Sequence, residues 1–236
     1  MGGIKVIEAK GVCLAYPDGT LALKNINLQI KTGEMVYITG PSGTGKTSLL
    51  KLFMGMEYPT EGSMQVLKQS IIKGQEANIQ LLRQAIGPVF QEFRLIAGRT
   101  ALDNVMLSMR FLDISPKQLK ERAKSALKEV GLAHKELSLA ENLSWGERQR
   151  LAIARAVVRK PRLILADEPT GNLDKDNAVN ILDLLASFKN EKTTVIITTH
   201  ATHLIDDKKD GVFIEVHNQG IRLERREGHL YEDVLL

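Results

Sequence analysis

The residues whose chemistry is clearest are 40–47, which read Gly-Pro-Ser-Gly-Thr-Gly-Lys-Thr. They match the pattern G-x-x-x-x-G-K-[ST] in full, and they lie between a predicted buried strand, 35–39, and a predicted helix that begins at Lys46 and ends near Met54. Glycines let backbone N–H groups approach phosphate oxygens, and a helix start adds partial positive charge. We therefore predict a nucleoside triphosphate site with Lys46 on the β- and γ-phosphates and the Thr47 hydroxyl on Mg²⁺. The residues expected at the phosphates are Gly40, Ser42, Gly43, Thr44, Gly45, Lys46, Thr47 and Ser48.

Two adjacent carboxylates follow the apolar run 163–166. In such a site Asp167 is predicted to hold Mg²⁺ through water, while Glu168 orients or deprotonates the attacking water. A base of this kind typically contributes ~10²–10⁴-fold in rate. The alternative is a pair of solvated charges at a strand end, which the phosphate loop makes the weaker interpretation.

Five further motifs resemble those of the ABC ATPases. Residues 143–150, Leu-Ser-Trp-Gly-Glu-Arg-Gln-Arg, resemble the LSGGQ signature, and residues 171–174, Gly-Asn-Leu-Asp, resemble the D-loop. His200 is similar to the family's switch histidine, Gln91 to its Q-loop glutamine, and Tyr16 to its adenine-stacking aromatic residue. Together with the phosphate loop and the acidic pair they follow the family's order along roughly residues 4–217.

The resemblance implies an ATPase that forms ADP and phosphate, in which two copies of the chain sandwich two ATP molecules head to tail. Each site would combine the phosphate loop of one copy with the signature of the other. Ser144 suits a helix N-cap, and Gly146 leaves a backbone N–H free at the same helix start. The resemblance implies that Glu168, His200 and Gln91 act in catalysis, and that Thr47, Gln91 and Asp167 bind Mg²⁺. In addition to the residues of the phosphate loop, it implies that the nucleotide is bound by Tyr16, Ser144, Gly146, Glu147 and Asp174.

Trp145 departs from the signature pattern, where the family usually has glycine, and it is the only tryptophan in the chain. One interpretation is that the side chain points away from the nucleotide without effect. The other is that the indole crowds or stacks at the dimer interface and slows closure or hydrolysis.

The order of the predicted elements indicates an α/β fold. Runs 163–166 and 194–198 are apolar without alternation, which is typical of strands buried in a parallel sheet. Partly alternating runs 4–9 and 25–30 predict a small antiparallel sheet. The resemblance adds the type: a P-loop ABC fold with a mostly parallel core sheet, a small antiparallel β-subdomain and an inserted α-helical subdomain. We expect one ABC nucleotide-binding domain over residues 1–236, with an ATP-binding core at about 1–99 and 147–236 and a helical signature subdomain at 100–146.

Two capping-box patterns predict helices in the insert, one that starts at Thr100 and one that starts at Ser115. The run 105–112 contains Met109 and Phe111 among other apolar residues. It is interpreted either as core packing of the insert or as a surface patch that takes a cytoplasmic helix of a permease in a groove.

Composition bounds the partners and the compartment. A chain of 236 residues with 43% hydrophobic residues suits an ordinary globular domain, and the single Cys13 fits a reducing compartment. The net charge of +4 is spread along the chain, which argues against specific nucleic-acid binding. No run approaches ~18 apolar residues, so the chain is expected in the cytoplasm, at the inner face of the cell membrane if a permease partner holds it there.

Within the ABC ATPases the chain resembles the group that contains FtsE, LolD and the ATPase part of MacB. The residues that carry this are 168–174, and residues 90–95, Phe-Gln-Glu-Phe-Arg-Leu, are most similar to the FtsE type. That type acts with the membrane protein FtsX in bacterial cell division, which implies an FtsX-like permease as partner. Alternatives are a lipoprotein-release or export ATPase of the LolD or MacB type, a slow ATP-dependent binding module, a nucleic-acid-linked ABC protein and a P-loop kinase.

Overall fold

The computed structural model describes residues 4–226. The strands in this range are β1 (Lys5–Ala15), β2 (Leu21–Lys31), β3 (Met35–Thr39), β4 (Glu61–Val66), β5 (Gln69–Ser70), β6 (Ile86–Val89), β7 (Leu163–Asp167), β8 (Thr194–Thr199), β9 (Gly211–His217) and β10 (Gly220–Arg226). The α-helices are α1 (Lys46–Phe53), α2 (Glu76–Gln84), α3 (Ala101–Leu107), α4 (Pro116–Glu129), α5 (Trp145–Val157) and α6 (Lys175–Ser187). Residues 1–3 and 227–236, the two ends of the expected domain, lie outside the described residues.

The core is a six-stranded sheet in the order β10-β9-β3-β8-β7-β6. Strands β9, β3, β8, β7 and β6 are parallel, and β10 adds an antiparallel edge. Both faces are covered, since Val36 and Ile38 of β3 belong to one buried cluster while Met35 and Tyr37 belong to another. This explains why β7 and β8 read as continuous apolar runs, and the prediction of buried parallel strands is confirmed.

A second, antiparallel sheet has the order β2-β1-β4-β5. The two strands predicted for it are correct but longer than expected, because the ladder between β1 and β2 continues to the pair Ala15 and Leu21. The chain reverses just beyond, where the Gly19 N–H donates to the Tyr16 carbonyl at 2.9 Å. Tyr16 is thus fixed at the mouth of this hairpin.

The two predicted helix starts in the insert are confirmed. Thr100 caps α3 and Ser115 caps α4, each in a reciprocal capping box, and Gly131 follows α4 in a left-handed conformation with φ of 75°. Both helices pack against α5, which carries the signature at its start.

The apolar run 105–112 divides between core and surface. Met109 is fully buried, so it belongs to the core of the helical region and offers nothing to a partner. Phe111 is 84% exposed and Leu112 39%, and both lie on the surface beyond the end of α3.

Within residues 4–226, each helix is too short or too polar to cross a lipid bilayer.

Candidate nucleotide-binding site

The loop of residues 40–47 connects β3 to α1, and its backbone conformation requires glycine at two positions. Gly40 and Gly45 have φ of 142° and 106°, which side-chain-bearing residues rarely adopt. A Cβ at Gly40 would lie 2.3 Å from the Val216 carbonyl oxygen, and one at Gly45 would lie 2.8 Å from the Ala22 carbonyl oxygen. The loop therefore packs directly against β9 and β2, and both contacts require glycine.

The start of α1 is a ready anion site. Its N-cap is Gly45, and no side chain of the described residues caps the helix, so its first N–H groups remain available to phosphate oxygens. Lys46 is buried, with 5% of the residue exposed to solvent. Its Nζ donates to the carbonyl oxygens of Gly40 at 2.8 Å and Pro41 at 3.0 Å. The loop is wound around this ammonium group.

Oxygen groups suited to a magnesium ion lie beside the loop. Thr47 Oγ1 donates to Asp167 Oδ1 at 3.2 Å, and Thr198 Oγ1 donates to the same oxygen at 2.7 Å. A hydroxyl and a carboxylate at this spacing fit the oxygen preference of Mg²⁺. No cluster of three or more His, Cys, Asp or Glu side chains that could hold a metal occurs within residues 4–226.

Glu168 lies where β7 ends and has a left-handed backbone with φ of 44°. This conformation is uncommon for a residue with a side chain and is often found at functional sites. Its N–H donates to Thr198 Oγ1 at 2.9 Å. One carboxylate oxygen lies 3.5 Å from Lys46 Nζ, and the other lies 2.8 Å from His200 Nδ1. The carboxylate is therefore held between a cation and an imidazole.

Lys46, Thr47, Glu168 and His200 line one cavity of about 680 Å³, whereas the predicted site residues Gly40 and Asp167 do not line it. Eleven of the sequence-predicted residues line it, namely Tyr16, Ser42, Gly43, Thr44, Gly45, Lys46, Thr47, Ser48, Gln91, Glu168 and His200. Tyr16 lies at one side, where its hydroxyl is 2.9 Å from Ser48 Oγ.

Sequence reasoning missed two groups of lining residues. One comprises Thr20, Leu21 and Ala22, before and at the start of β2, and the other is the turn Asn218–Gln219 between β9 and β10. Asn218 and Gln219 have φ of 46° and 66°, as a tight hairpin turn requires. The triplet Asn-Gln-Gly between two partly alternating runs was a hairpin signal in the sequence.

The signature residues lie elsewhere on the same chain. None of Ser144, Gly146, Glu147 and Asp174 lines the cavity. Ser144 caps α5 by accepting from the Glu147 N–H, and the Ser144 N–H donates to the Glu147 carboxylate at 2.8 Å. This backbone hydrogen bond, helped by Lys135 at 3.5 Å, holds the pKa of Glu147 below its ordinary value. Asp174 caps α6, and the N–H of Asn177 likewise lowers the pKa of Asp174.

Gly146 has room around it. A Cβ there would meet its nearest neighbours at 3.8 Å, which is ordinary van der Waals contact, and its backbone is helical. Nothing within the described chain requires glycine at this position, in contrast to Gly40 and Gly45.

Comparison with known proteins places the chain. Residues 23–171 match the ABC transporter family. The chain is 34% identical over 230 residues to the cell division ATP-binding protein FtsE of Streptococcus pneumoniae (strain D39), covering 98% of this chain and 100% of that protein. It is 40% identical over 200 residues to FtsE of Escherichia coli K12, covering 85% of this chain and 90% of that protein.

A solved structure gives the same answer for the fold. The ATP-binding cassette MJ0796, a dimer in a post-hydrolysis state bound to ADP and Pi, superposes with a TM-score of 0.83 at 33% identity, over 94% of this chain and 100% of that chain. The predicted α/β fold of P-loop ABC type is confirmed. The chain belongs to the ABC transporter family, as an ATP-binding subunit of the FtsE type.

Proposed function

We propose that the chain hydrolyses ATP to ADP and phosphate at the 680 Å³ cavity, as the ATPase of an FtsE-type complex in cell division. The observation that carries the proposal is the position of Glu168, whose carboxylate lies 3.5 Å from Lys46 Nζ and 2.8 Å from His200 Nδ1 in a cavity that also contains Gln91.

The binding step uses the loop and the start of α1. Backbone N–H groups of the loop and Lys46 bind the phosphates, and the ring of Tyr16 stacks on the adenine. Thr47 and Asp167, with Gln91, would hold Mg²⁺, which when bound neutralises charge on the β- and γ-phosphates. Phosphate oxygens then compete with Glu168 for Lys46, so binding frees one side of the carboxylate.

The chemical step uses Glu168 as a base. Water attacks the γ-phosphorus, its proton passes to a carboxylate oxygen of Glu168, and the bond from the γ-phosphorus to the bridging oxygen of ADP breaks. His200 steadies Glu168 through the 2.8 Å contact and is near enough to the cavity to reach the γ-phosphate.

The second copy of the chain completes each site. Ser144 and Gly146 lie at a helix start that the cavity of the same chain does not use, and the space around Gly146 suits a close approach of phosphate from a partner. The dimer of MJ0796 supports this arrangement. ATP bound between two such surfaces favours a closed dimer, and loss of the γ-phosphate favours opening.

A permease of the FtsX type is the proposed membrane partner, and it would hold the chain at the cytoplasmic face of the membrane. A groove of about 880 Å³ between α2 and the end of α3 suits a cytoplasmic helix of that permease. Phe111 stands 84% exposed at its rim, while Arg83 and Arg159 line it.

The test is ATP turnover by the purified chain, alone and with its permease in lipid nanodiscs, beside Lys46→Ala. We expect turnover that depends on Mg²⁺ and disappears in the variant, because the variant lacks the cation at the phosphates. Turnover that survives in Lys46→Ala, or its absence even with the permease present, would contradict the proposal.

A further inference from the structure

The Trp145 side chain lies against its own chain. Its indole Nε1–H donates to the Gly171 carbonyl oxygen at 3.0 Å, and its ring meets Phe93 edge to face, with ring centres 4.6 Å apart and planes at 65°. The indole therefore has partners on two other segments of the same chain, although 41% of the residue remains exposed. It is not among the residues that line the nucleotide cavity.

Both partners belong to segments that carry site residues. Gly171 follows Glu168 by three positions, and its N–H donates to the Glu168 carbonyl at 3.1 Å. Phe93 follows Gln91 by two positions, and its N–H donates to the Phe90 carbonyl at 3.1 Å. Phe93 is 9% exposed and has a left-handed backbone with φ of 50°, so its segment is tightly constrained.

We propose that Trp145 is a positioning residue that fastens the start of α5 to the Glu168 and Gln91 segments and thereby couples the two nucleotide sites of a dimer. The inference rests on the proposed function. In the composite arrangement the start of α5 contacts the nucleotide bound to the other copy, whereas Glu168 and Gln91 act on the nucleotide bound to their own chain. A rigid contact between these segments transmits a change at one site to the other.

The first test measures ATP turnover against ATP concentration for Trp145→Gly and Trp145→Phe. If the lost hydrogen bond and aromatic pair favour the ATP-bound arrangement, half-saturating ATP for Trp145→Gly rises by about tenfold. The Hill coefficient is expected to fall toward one, and kcat to stay within about twofold. Trp145→Phe retains a ring without the donor, so its effect should be smaller. Leu137→Ala, at a residue that is 73% exposed, is the matched control.

A double-mutant cycle with Phe93→Leu isolates the contact. If Trp145 acts through Phe93, adding Phe93→Leu to Trp145→Gly changes half-saturating ATP little further, whereas independent residues give effects that add. Full additivity would overturn the proposal. So would a higher kcat in Trp145→Gly at unchanged half-saturation, because that result makes the indole a brake at the dimer interface.

A fluorescence measurement keeps the two proposals separate. Trp145 is the only tryptophan, so emission excited at a wavelength that the four tyrosines do not absorb reports this position alone. Phe93→Leu should increase quenching by acrylamide, since the indole loses an aromatic neighbour, and unchanged quenching would overturn the inference without any assay of turnover. An inactive wild-type chain would instead count against the proposed function, and an active one with indistinguishable Trp145 variants would count against the coupling.

Discussion

Nδ1 of His200 lies 2.8 Å from Oε2 of Glu168, and the His200 backbone N–H donates to the same oxygen at 3.2 Å. The two contacts come from one residue at the end of β8, while Glu168 stands at the end of neighbouring β7. The parallel pairing of two buried strands therefore sets the position of the proposed base. The His200 side chain is 59% exposed and that of Glu168 only 11%, so the imidazole covers the carboxylate from the solvent side.

Replacing Glu168 with Gln should separate binding from hydrolysis. The amide keeps the size of the side chain but cannot accept the proton of the attacking water, so kcat is expected to fall by ~10²–10⁴-fold. ATP binding should persist, because Lys46 and the loop are untouched, and a dimer should accumulate with ATP. Single-turnover hydrolysis and light scattering with Mg-ATP measure the two effects. Retention of wild-type kcat would assign the base to another residue.

Gly146→Ala tests whether the start of α5 acts on a second copy. The chain itself leaves 3.8 Å around the new Cβ, so we expect the thermal unfolding midpoint to change little. Hydrolysis and the ATP-dependent dimer should both be lost, since the methyl group would stand where a phosphate must approach. The contrasting variant is Gly40→Ala, whose Cβ would lie 2.3 Å from the Val216 carbonyl and should destabilise the loop itself. Normal turnover in Gly146→Ala would contradict the composite site.

Glu147 should make stability depend on pH in acid. Its hydrogen bond from the Ser144 N–H lowers its pKa in the folded chain below the ordinary value of 4.5. A lowered folded pKa contributes stability above the unfolded pKa, and that contribution is lost as the pH falls through the folded pKa. In Glu147→Gln the side chain can still accept the Ser144 hydrogen bond but does not titrate. Urea unfolding at pH values from neutral to below 4.5 should show a smaller loss of free energy of unfolding in the variant.

The control for this measurement is Glu121→Gln, at an exposed position of α4. It removes one carboxylate without touching a helix cap, and it should follow the wild-type pH profile. Equal profiles for wild type and Glu147→Gln would show that the cap contributes nothing to acid sensitivity.

Phe111→Asp should weaken the complex with the permease and leave the isolated ATPase unchanged. The ring is 84% exposed at the groove, so a charge there costs the free chain little but opposes burial of the groove under an apolar helix. Co-purification from detergent and permease-stimulated turnover are the measurements, with Leu137→Ala, at an exposed residue that does not line the groove, as the control. Undiminished co-purification would show that the permease does not bind at this groove.

Much of the site was predictable because its signals are local. The loop 40–47 and the caps at Thr100 and Ser115 depend on short patterns that encode their own hydrogen bonds. Strands β7 and β8 were predictable because burial on both faces removes alternation.

Strand β6 was missed because its sequence, Ile-Gly-Pro-Val, has low strand propensity. Pro88 is tolerated since β6 is the edge of the sheet. Gly87 is explained by α5, whose Ala156 carbonyl oxygen would lie 2.6 Å from a Cβ at that position. Neither reason is local to the strand. The inward contact of Trp145 with Gly171 and Phe93 was equally invisible, because it joins three segments that are distant in sequence.

The loop wound around Lys46 has a consequence for affinity. Two carbonyl oxygens of the loop already hold the ammonium group, and glycines fix the backbone against β2 and β9. Contacts within the chain therefore fix the conformation of this loop, so binding of phosphate costs little ordering of its backbone. Pre-organisation of this kind raises affinity by lowering the entropic cost of binding.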